Sequence, residues 1–398
     1  MTSAGSFFRP SRAPHASGAP RLLCVFDGGD APGYSSIAVA LTEEGTRRGF
    51  EVWAATEGFR SLTGDTATQL RFERLVVSRG ERYELLGQGI PTRSMGRRVL
   101  DPGSDFRSER YTGFFDPQKR ELAAHTFYTQ GFTHLVTIGG NGTLDGTKAW
   151  MESFRALPSG EGAPPVAFVN VSVDNDVGGD RAVGFFTGVE AGATIARGLY
   201  EDSYTHKRIY LLEMMGNRSG RHALHCGVAS RAHLIVLPFF KFPDEVIRET
   251  AEALNRAEHA LVVVAEGYEL ERRKRLGVEQ SASAYLKMQF EQYGLRDLPT
   301  RRVIAEPFSR YLRGVRPGFS DVSSAYLKVS LLFDAFANDR TEVMPYVLAG
   351  HDVGVRAFDS IVREDRVERA FLPLLERFGL PELQKWVRDN FTTEDRSL

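Results

Sequence analysis

Cysteine is almost absent: the 398 residues contain two, Cys24 and Cys226. Each lies inside an apolar run, LLCVF and HALHCGVAS. That excludes a disulfide framework or a cysteine metal cluster and implies buried, reduced thiols, hence a cytoplasmic protein. No run approaches the roughly 20 apolar residues needed to cross a bilayer. Met1 to Pro20 has no apolar signal segment and reads as a flexible, mildly basic tail. Neither sign of charge is in excess, since 50 Lys and Arg meet 51 Asp and Glu for a formal net charge of −1. Such a balance provides no broad field for nucleic acid or a membrane surface, so charge must act in pockets. Zinc-like ligand spacing is also missing. His222 and His225 share a helical spacing without a third ligand, and they are assigned to structure.

Apolar residues make up 42% of the chain, enough for a large core, and the length suggests two lobes. Short apolar or β-branched runs alternate with segments of helical period: LLCVF, 34–48, VWAA, 117–130, HLVTI, 143–155, VAFVNV, 186–200, RIYLLEM, 220–230, HLIVLP, 243–256 and ALVVVAE. Continuous apolar strands joined by crossover helices predict an α/β fold of mostly parallel sheets covered by helices on both faces. Beyond Glu266 the pattern predicts helices near 279–293, 320–338, 356–377 and 381–391, with a basic stretch from Arg301 to Arg316 between them. The Gly-, Pro- and Arg-rich segment from Glu81 to Tyr111 reads as a long functional loop.

Three glycine-rich turns follow three of these strands: Asp27-Gly28-Gly29-Asp30-Ala31-Pro32-Gly33, Gly139-Gly140-Asn141-Gly142-Thr143 and Asp176-Val177-Gly178-Gly179-Asp180. Ligands of open parallel sheets sit outside the carboxyl ends of strands. Glycine there lets backbone N–H groups approach phosphate, and a following helix adds its positive end. The spacing of GGDAPG is not that of a dinucleotide fingerprint, and no Gly-Lys-Ser/Thr of a P-loop follows any turn. Backbone must therefore hold the phosphates. Ser172-Val173-Asp174-Asn175-Asp176 directly follows the third strand, and alternation puts Asp174 and Asp176 on one face. Phosphoryl transfer uses such a pair, one carboxylate to take the hydroxyl proton and one to hold magnesium. Arg208, Arg218, Arg221 and the five arginines within the sixteen positions from Arg301 to Arg316 suit an anionic substrate.

Together these motifs resemble the phosphofructokinase family. The resemblance runs from about Leu22 to Gly314 through GGDAPG, IGGNGT, SVDNDVGGD with GFFTG, RIYLLEMMGN, VVVAEG and, more loosely, PFSRYLRG. It implies a kinase that moves a phosphoryl group from ATP to a sugar phosphate, fructose 6-phosphate being the family default, with Mg2+ as cofactor. It implies Asp174 as the base, Asp176 as the magnesium-associated carboxylate and Ser172 as a contact of the transferred group. Gly28, Gly29, Gly140, Asn141, Gly142, Thr143 and Arg98 fall at the donor. Met215, Gly216, Asn217, Glu266, Arg208, Arg302, Arg310 and Arg313 fall at the acceptor, Arg208 by analogy from a neighbouring subunit, so a homodimer or homotetramer is expected. The implied lobes are 21–185 with about 313–350 for the donor and 186–312 with about 351–398 for the acceptor.

The chain departs from the pattern at several points. Asn141 replaces an aspartate that helps to manage the metal, and an amide is the weaker ligand. Asn217 replaces an arginine, for which Arg218, Arg97 and Arg98 are candidate substitutes. Arg310 stands for histidine or tyrosine. Gly142 fits the ATP type, while Val171 matches neither the glycine of that type nor the lysine of the pyrophosphate type. Val39 and Glu43 occupy the places of effector-binding arginines, so regulation of that kind is not expected. A pyrophosphate-dependent enzyme and a non-catalytic nucleotide or sugar-phosphate sensor are the alternatives.

Overall fold

The computed structural model describes residues 18–65, 70–77, 91–158, 160, 162–278, 281–348, 352–363, 371–375 and 381–390. Most of the expected tail and residues 81–90 of the expected loop lie outside them. The chain divides into two units. Unit 1 holds the described residues within Met1–Ser172, Val177–Thr187 and Arg313–Arg363; unit 2 holds those within Val173–Asp176, Gly188–Leu312 and Glu364–Leu398.

The strands of unit 1 are β1 (Arg21–Phe26), β2 (Glu51–Ala55), β3 (Phe72–Val76), β4 (Thr92–Ser94), β5 (His134–Gly139) and β6 (Val166–Asn170). Those of unit 2 are β7 (Arg208–Met214), β8 (Leu234–Val236), β9 (Ala260–Ala265) and β10 (Arg302–Glu306). The chain then returns to unit 1 for β11 (Val343–Val347) and β12 (Val353–Ala357). The unit 1 sheet runs β12-β11-β6-β5-β1-β2-β3-β4, and the unit 2 sheet runs β10-β7-β9-β8. Pairing is parallel except between β2 and β3 and between β11 and β12. The helices are α1 (Tyr34–Arg47), α2 (Arg60–Thr63), α3 (Pro117–Thr129), α4 (Asn141–Arg155), α5 (Phe185–His206), α6 (Arg221–Ser230), α7 (Asp244–Arg256), α8 (Leu270–Arg275), α9 (Ala282–Gln292), α10 (Phe319–Ala337), α11 (Leu372–Leu375) and α12 (Pro381–Asn390).

Local chemistry accounts for many boundaries. Asp116 caps α3 by accepting from the Gln118 N–H at 2.9 Å, with Pro117 at the first helical position, where its missing donor costs nothing. Ser281 caps α9 in the same way. Asp244 and Glu245 begin α7 and Arg256 ends it, matching the helix dipole. In unit 1 the aromatic core beneath the sheet gathers Phe59, Phe114, Phe127, Trp150 and Phe154. The Phe59 and Phe114 rings stack at 4.1 Å, and Trp150 meets both edge-on.

The helix expected near 356–377 is not formed as read. Val353–Ala357 is a strand on the sheet edge, Phe358–Ser360 a 3-10 turn, and Leu372–Leu375 a four-residue helix. Antiparallel pairing with β11, which a local pattern does not report, decides the conformation of β12. No helix among the described residues is long and apolar enough to cross a membrane.

Candidate active site

In unit 1, β1 lies between β5 and β2, so the strand order reverses beside β1, the place where open α/β sheets form a ligand crevice. The turns after β1 and β5 both fall there. Gly28 has φ +93°, and a Cβ on it would sit 3.3 Å from the Thr143 hydroxyl. Glycine meets both demands, the left-handed backbone and the close approach. Its N–H donates to the Glu109 carbonyl at 3.1 Å. Gly140 precedes α4, whose first residues are Asn141, Gly142 and Thr143. This gives the second turn a helix amino terminus, as phosphate binding requires.

Asp27 joins the two turns. It is 6% exposed, and the Thr143 hydroxyl donates to its Oδ2 at 3.0 Å. Burial pushes the Asp27 carboxyl up to about 7, partly offset by the Thr143 hydrogen bond. A carboxyl that keeps its proton near neutrality repels phosphate less than an ionised one. Sequence reasoning gave this residue no role; a carboxyl ending an apolar strand before Gly-Gly was the available signal. Asp30 is also raised by burial, with the Ala31 N–H and Arg313 pulling it down.

Arg313 belongs with this turn. Its Nη1 donates to the Asp30 carbonyl at 2.7 Å, and a Cβ on Gly29 would lie 2.8 Å from that nitrogen. Arg110 also borders Gly29, a neighbour that the sequence did not suggest. Arg98 pairs with Asp105 and, at 3.6 Å, with Asp101.

In unit 2, Met215, Gly216 and Asn217 follow β7, and Glu266 follows the adjacent β9. The Glu266 N–H donates to the Met214 carbonyl at 2.8 Å. Met215 is buried, Gly216 has φ +103°, and Asn217 and Arg218 are exposed. The Glu266 carbonyl accepts from the guanidinium of Arg273, a residue 6% exposed.

Asp174 is half-buried and Asp176 is 8% exposed. Asn175 between them is left-handed, φ 51°. The Ser219 hydroxyl donates to the Asp174 carbonyl at 3.0 Å, and the Arg221 guanidinium donates to the Asn175 carbonyl. Ser172, in unit 1, donates its N–H to the Val183 carbonyl at 3.0 Å and lies near Gly140, 3.5 Å from a Cβ placed there.

The remaining arginines are elsewhere. Arg208 opens β7 and Arg302 opens β10, side by side in register, at the strand ends opposite Met215. Arg208 donates to Asp202 at 2.7 Å and to the Tyr210 hydroxyl at 3.0 Å; Arg302 is exposed, 3.5 Å from Asp297. Arg310 is exposed in the 3-10 turn Ser309–Gly314. Cys24 and Cys226 are buried and free.

These features define an α/β protein with phosphate-type turns at a sheet switch point and paired carboxylates after an adjoining strand. The Phosphofructokinase family model matches residues 21–326, more than half of the chain, which therefore belongs to the phosphofructokinase family. An ATP-dependent 6-phosphofructokinase of Aquifex aeolicus is 30% identical over 251 residues, 62% of this chain and 70% of that protein. One of Chloroflexus aggregans is 31% identical over 257 residues, 63% and 66% of the two chains. Among solved structures, the pyrophosphate-dependent phosphofructokinase of Marinobacter aquaeolei shares the fold at TM-score 0.68 and 16% identity, covering 92% of this chain and 91% of its own. Phosphofructokinase of Pichia pastoris in the T-state aligns at TM-score 0.67 and 20% identity over 87% of this chain. The chain spans only 36% of that larger one.

Proposed function

We propose that the protein transfers a phosphoryl group from ATP to a hydroxyl of a sugar phosphate, fructose 6-phosphate in the first instance. The observation that carries this is the Asp174–Asp176 pair directly after β6, in a loop whose carbonyls Ser219 and Arg221 hold. Asp174 takes the proton of the acceptor hydroxyl as its oxygen bonds to the γ-phosphorus and the bond from that phosphorus to the β,γ-bridging oxygen breaks, releasing ADP. The Ser172 hydroxyl donates to the transferring phosphoryl group. Backbone N–H groups of Gly29, Gly140 and Gly142, with Thr143 and Arg98, bind the donor phosphates. The Gly28 N–H already donates to the Glu109 carbonyl, so Gly28 serves the turn through its left-handed backbone. Met215, Gly216, Asn217 and Glu266 orient the acceptor, and Arg310 binds its phosphate. Arg302 was expected with them, but its place beside Arg208 at the opposite strand ends favours a role across a neighbouring copy. Arg313 was also expected with them, but its place at Gly29 favours a donor-side role.

No group of three His, Cys, Asp or Glu among the described residues forms a metal cage. Magnesium does not need one, because phosphate and water complete its shell around one or two protein oxygens. Asp176 is the proposed carboxylate ligand. When bound, the ion neutralises charge on the transferring phosphoryl group.

The seven residues of β7 span about 20 Å at the usual rise, which keeps Arg208 away from its own Met215 turn. That supports a homodimer or homotetramer in which Arg208 serves a neighbouring copy. Unit 1 is the proposed donor lobe, and unit 2 the proposed acceptor lobe. Two free buried thiols fit a cytoplasmic location.

A coupled assay with ATP or pyrophosphate and a panel of sugar phosphates, alongside Asp174→Asn, tests the reading. Transfer from ATP that Asp174→Asn reduces at least 1,000-fold is expected, a loss on the scale of a general base. Transfer from pyrophosphate alone would change the donor, and absence of transfer with every acceptor would refute the enzyme.

A further inference from the structure

Arg221 breaks two local rules at once. It is the first residue of α6, where the helix dipole disfavours a cation, and it is 1% exposed, where a guanidinium is expensive to desolvate. Gly220 before it is left-handed and supplies no side-chain cap, so helix initiation does not explain the residue. Such violations concentrate where function demands them.

What Arg221 holds is the carbonyl of Asn175, the peptide between the two carboxylates. Asn175 is left-handed, a conformation that asparagine tolerates better than other non-glycine residues, so the chain bends here and the two carbonyl tethers fix that bend. Ser219 adds the second tether by donating to the Asp174 carbonyl at 3.0 Å while accepting the Arg221 N–H at 3.4 Å. Consecutive carbonyls are thus fixed from one point, the start of α6, and with them the directions of the Asp174 and Asp176 side chains.

We infer that Arg221 is a positioning residue for the Asp174–Asp176 loop, acting with Ser219 to hold both carboxylates in their working orientation. This rests on the phosphotransferase reading. A guanidinium suits the task because its planar fork holds a carbonyl without titrating.

Steady-state kinetics and hydrogen–deuterium exchange on Arg221→Met, Arg221→Lys and Ser219→Ala test the inference. Arg221→Met should lower kcat about 100-fold, as expected for a misplacement near 1 Å, while acceptor KM moves less than about threefold. Exchange at Val173–Asp176 should rise about tenfold, with β7 and β9 unchanged. Arg221→Lys should recover part of kcat, and Ser219→Ala, which leaves the buried charge in place, should give a smaller loss of the same kind. Unchanged exchange in the loop, or a kcat loss that merely follows the unfolded fraction, would overturn the role. A wild-type protein that transfers no phosphoryl group refutes the phosphotransferase reading separately, since exchange does not depend on turnover.

Discussion

Lys328 in α10 donates from Nζ to Asp180 Oδ2 at 2.5 Å, with both side chains fully buried. The same ammonium donates to the Arg181 carbonyl at 2.7 Å, and Asp180 also accepts the Val347 N–H at 2.9 Å. The pair therefore ties the third glycine turn to α10 and β11. Removing one partner of a buried pair leaves an uncompensated charge, which costs about 3–5 kcal/mol. Lys328→Met should be destabilised by that order in urea unfolding. Adding Asp180→Asn should recover part of it, because the amide still accepts from Val347 but carries no charge.

Gly267 is pressed against the backbone of Asn217, whose carbonyl a Cβ at position 267 would overlap. That close approach sets the acceptor turn against the end of β9. Gly267→Ala must push the turn aside at a cost of about 1–3 kcal/mol. Calorimetry should register the loss. Kinetics should show a raised acceptor KM of tenfold or more with donor KM nearly unchanged, since Asn217 and Gly267 both belong to unit 2.

Asp27 gives stability a pH dependence. Its carboxyl stands at about 7 in the folded protein because burial disfavours its charge, so the native state keeps the proton longer than the unfolded chain. The resulting stabilisation is complete below the ordinary carboxylate range and is lost as pH rises through about 7. Across that window the loss runs at about 1.4 kcal/mol per pH unit. Asp27→Asn removes the titration while keeping an acceptor for Thr143. Denaturant unfolding between pH 5 and 8 should show a shallower decline for the variant than for wild type; equal slopes would refute the assignment.

Much of the fold was legible because buried parallel strands announce themselves. Leu22–Phe26 and Ala260–Ala265 are continuous apolar runs, Leu135–Ile138 is interrupted only by Thr137, and each is buried within a strand. The short or half-exposed β3, β4, β10, β11 and β12 were not read as strands. β12, for instance, has no fully buried residue, and its conformation comes from its neighbour. In the candidate site, the turns were visible because backbone demands act over a few residues. The alternation used for Asp174 and Asp176 assumes extended chain, whereas Asn175 between them is left-handed and the segment is bent. Asp27 went unused because its chemistry comes from burial, which a string does not display.

The sequence by itself determined the α/β class, the family and the local motifs, since each rests on spacing within one strand, turn or helix. Tertiary structure alone decided which charges meet them. Arg313 reaches Asp30 from 283 residues away, Lys328 reaches Asp180 from 148, and Arg221 reaches Asn175 from 46. A count of arginines shows that cations are available. Where each one is buried, and which carbonyl or carboxylate offsets its desolvation, depends on how distant segments pack.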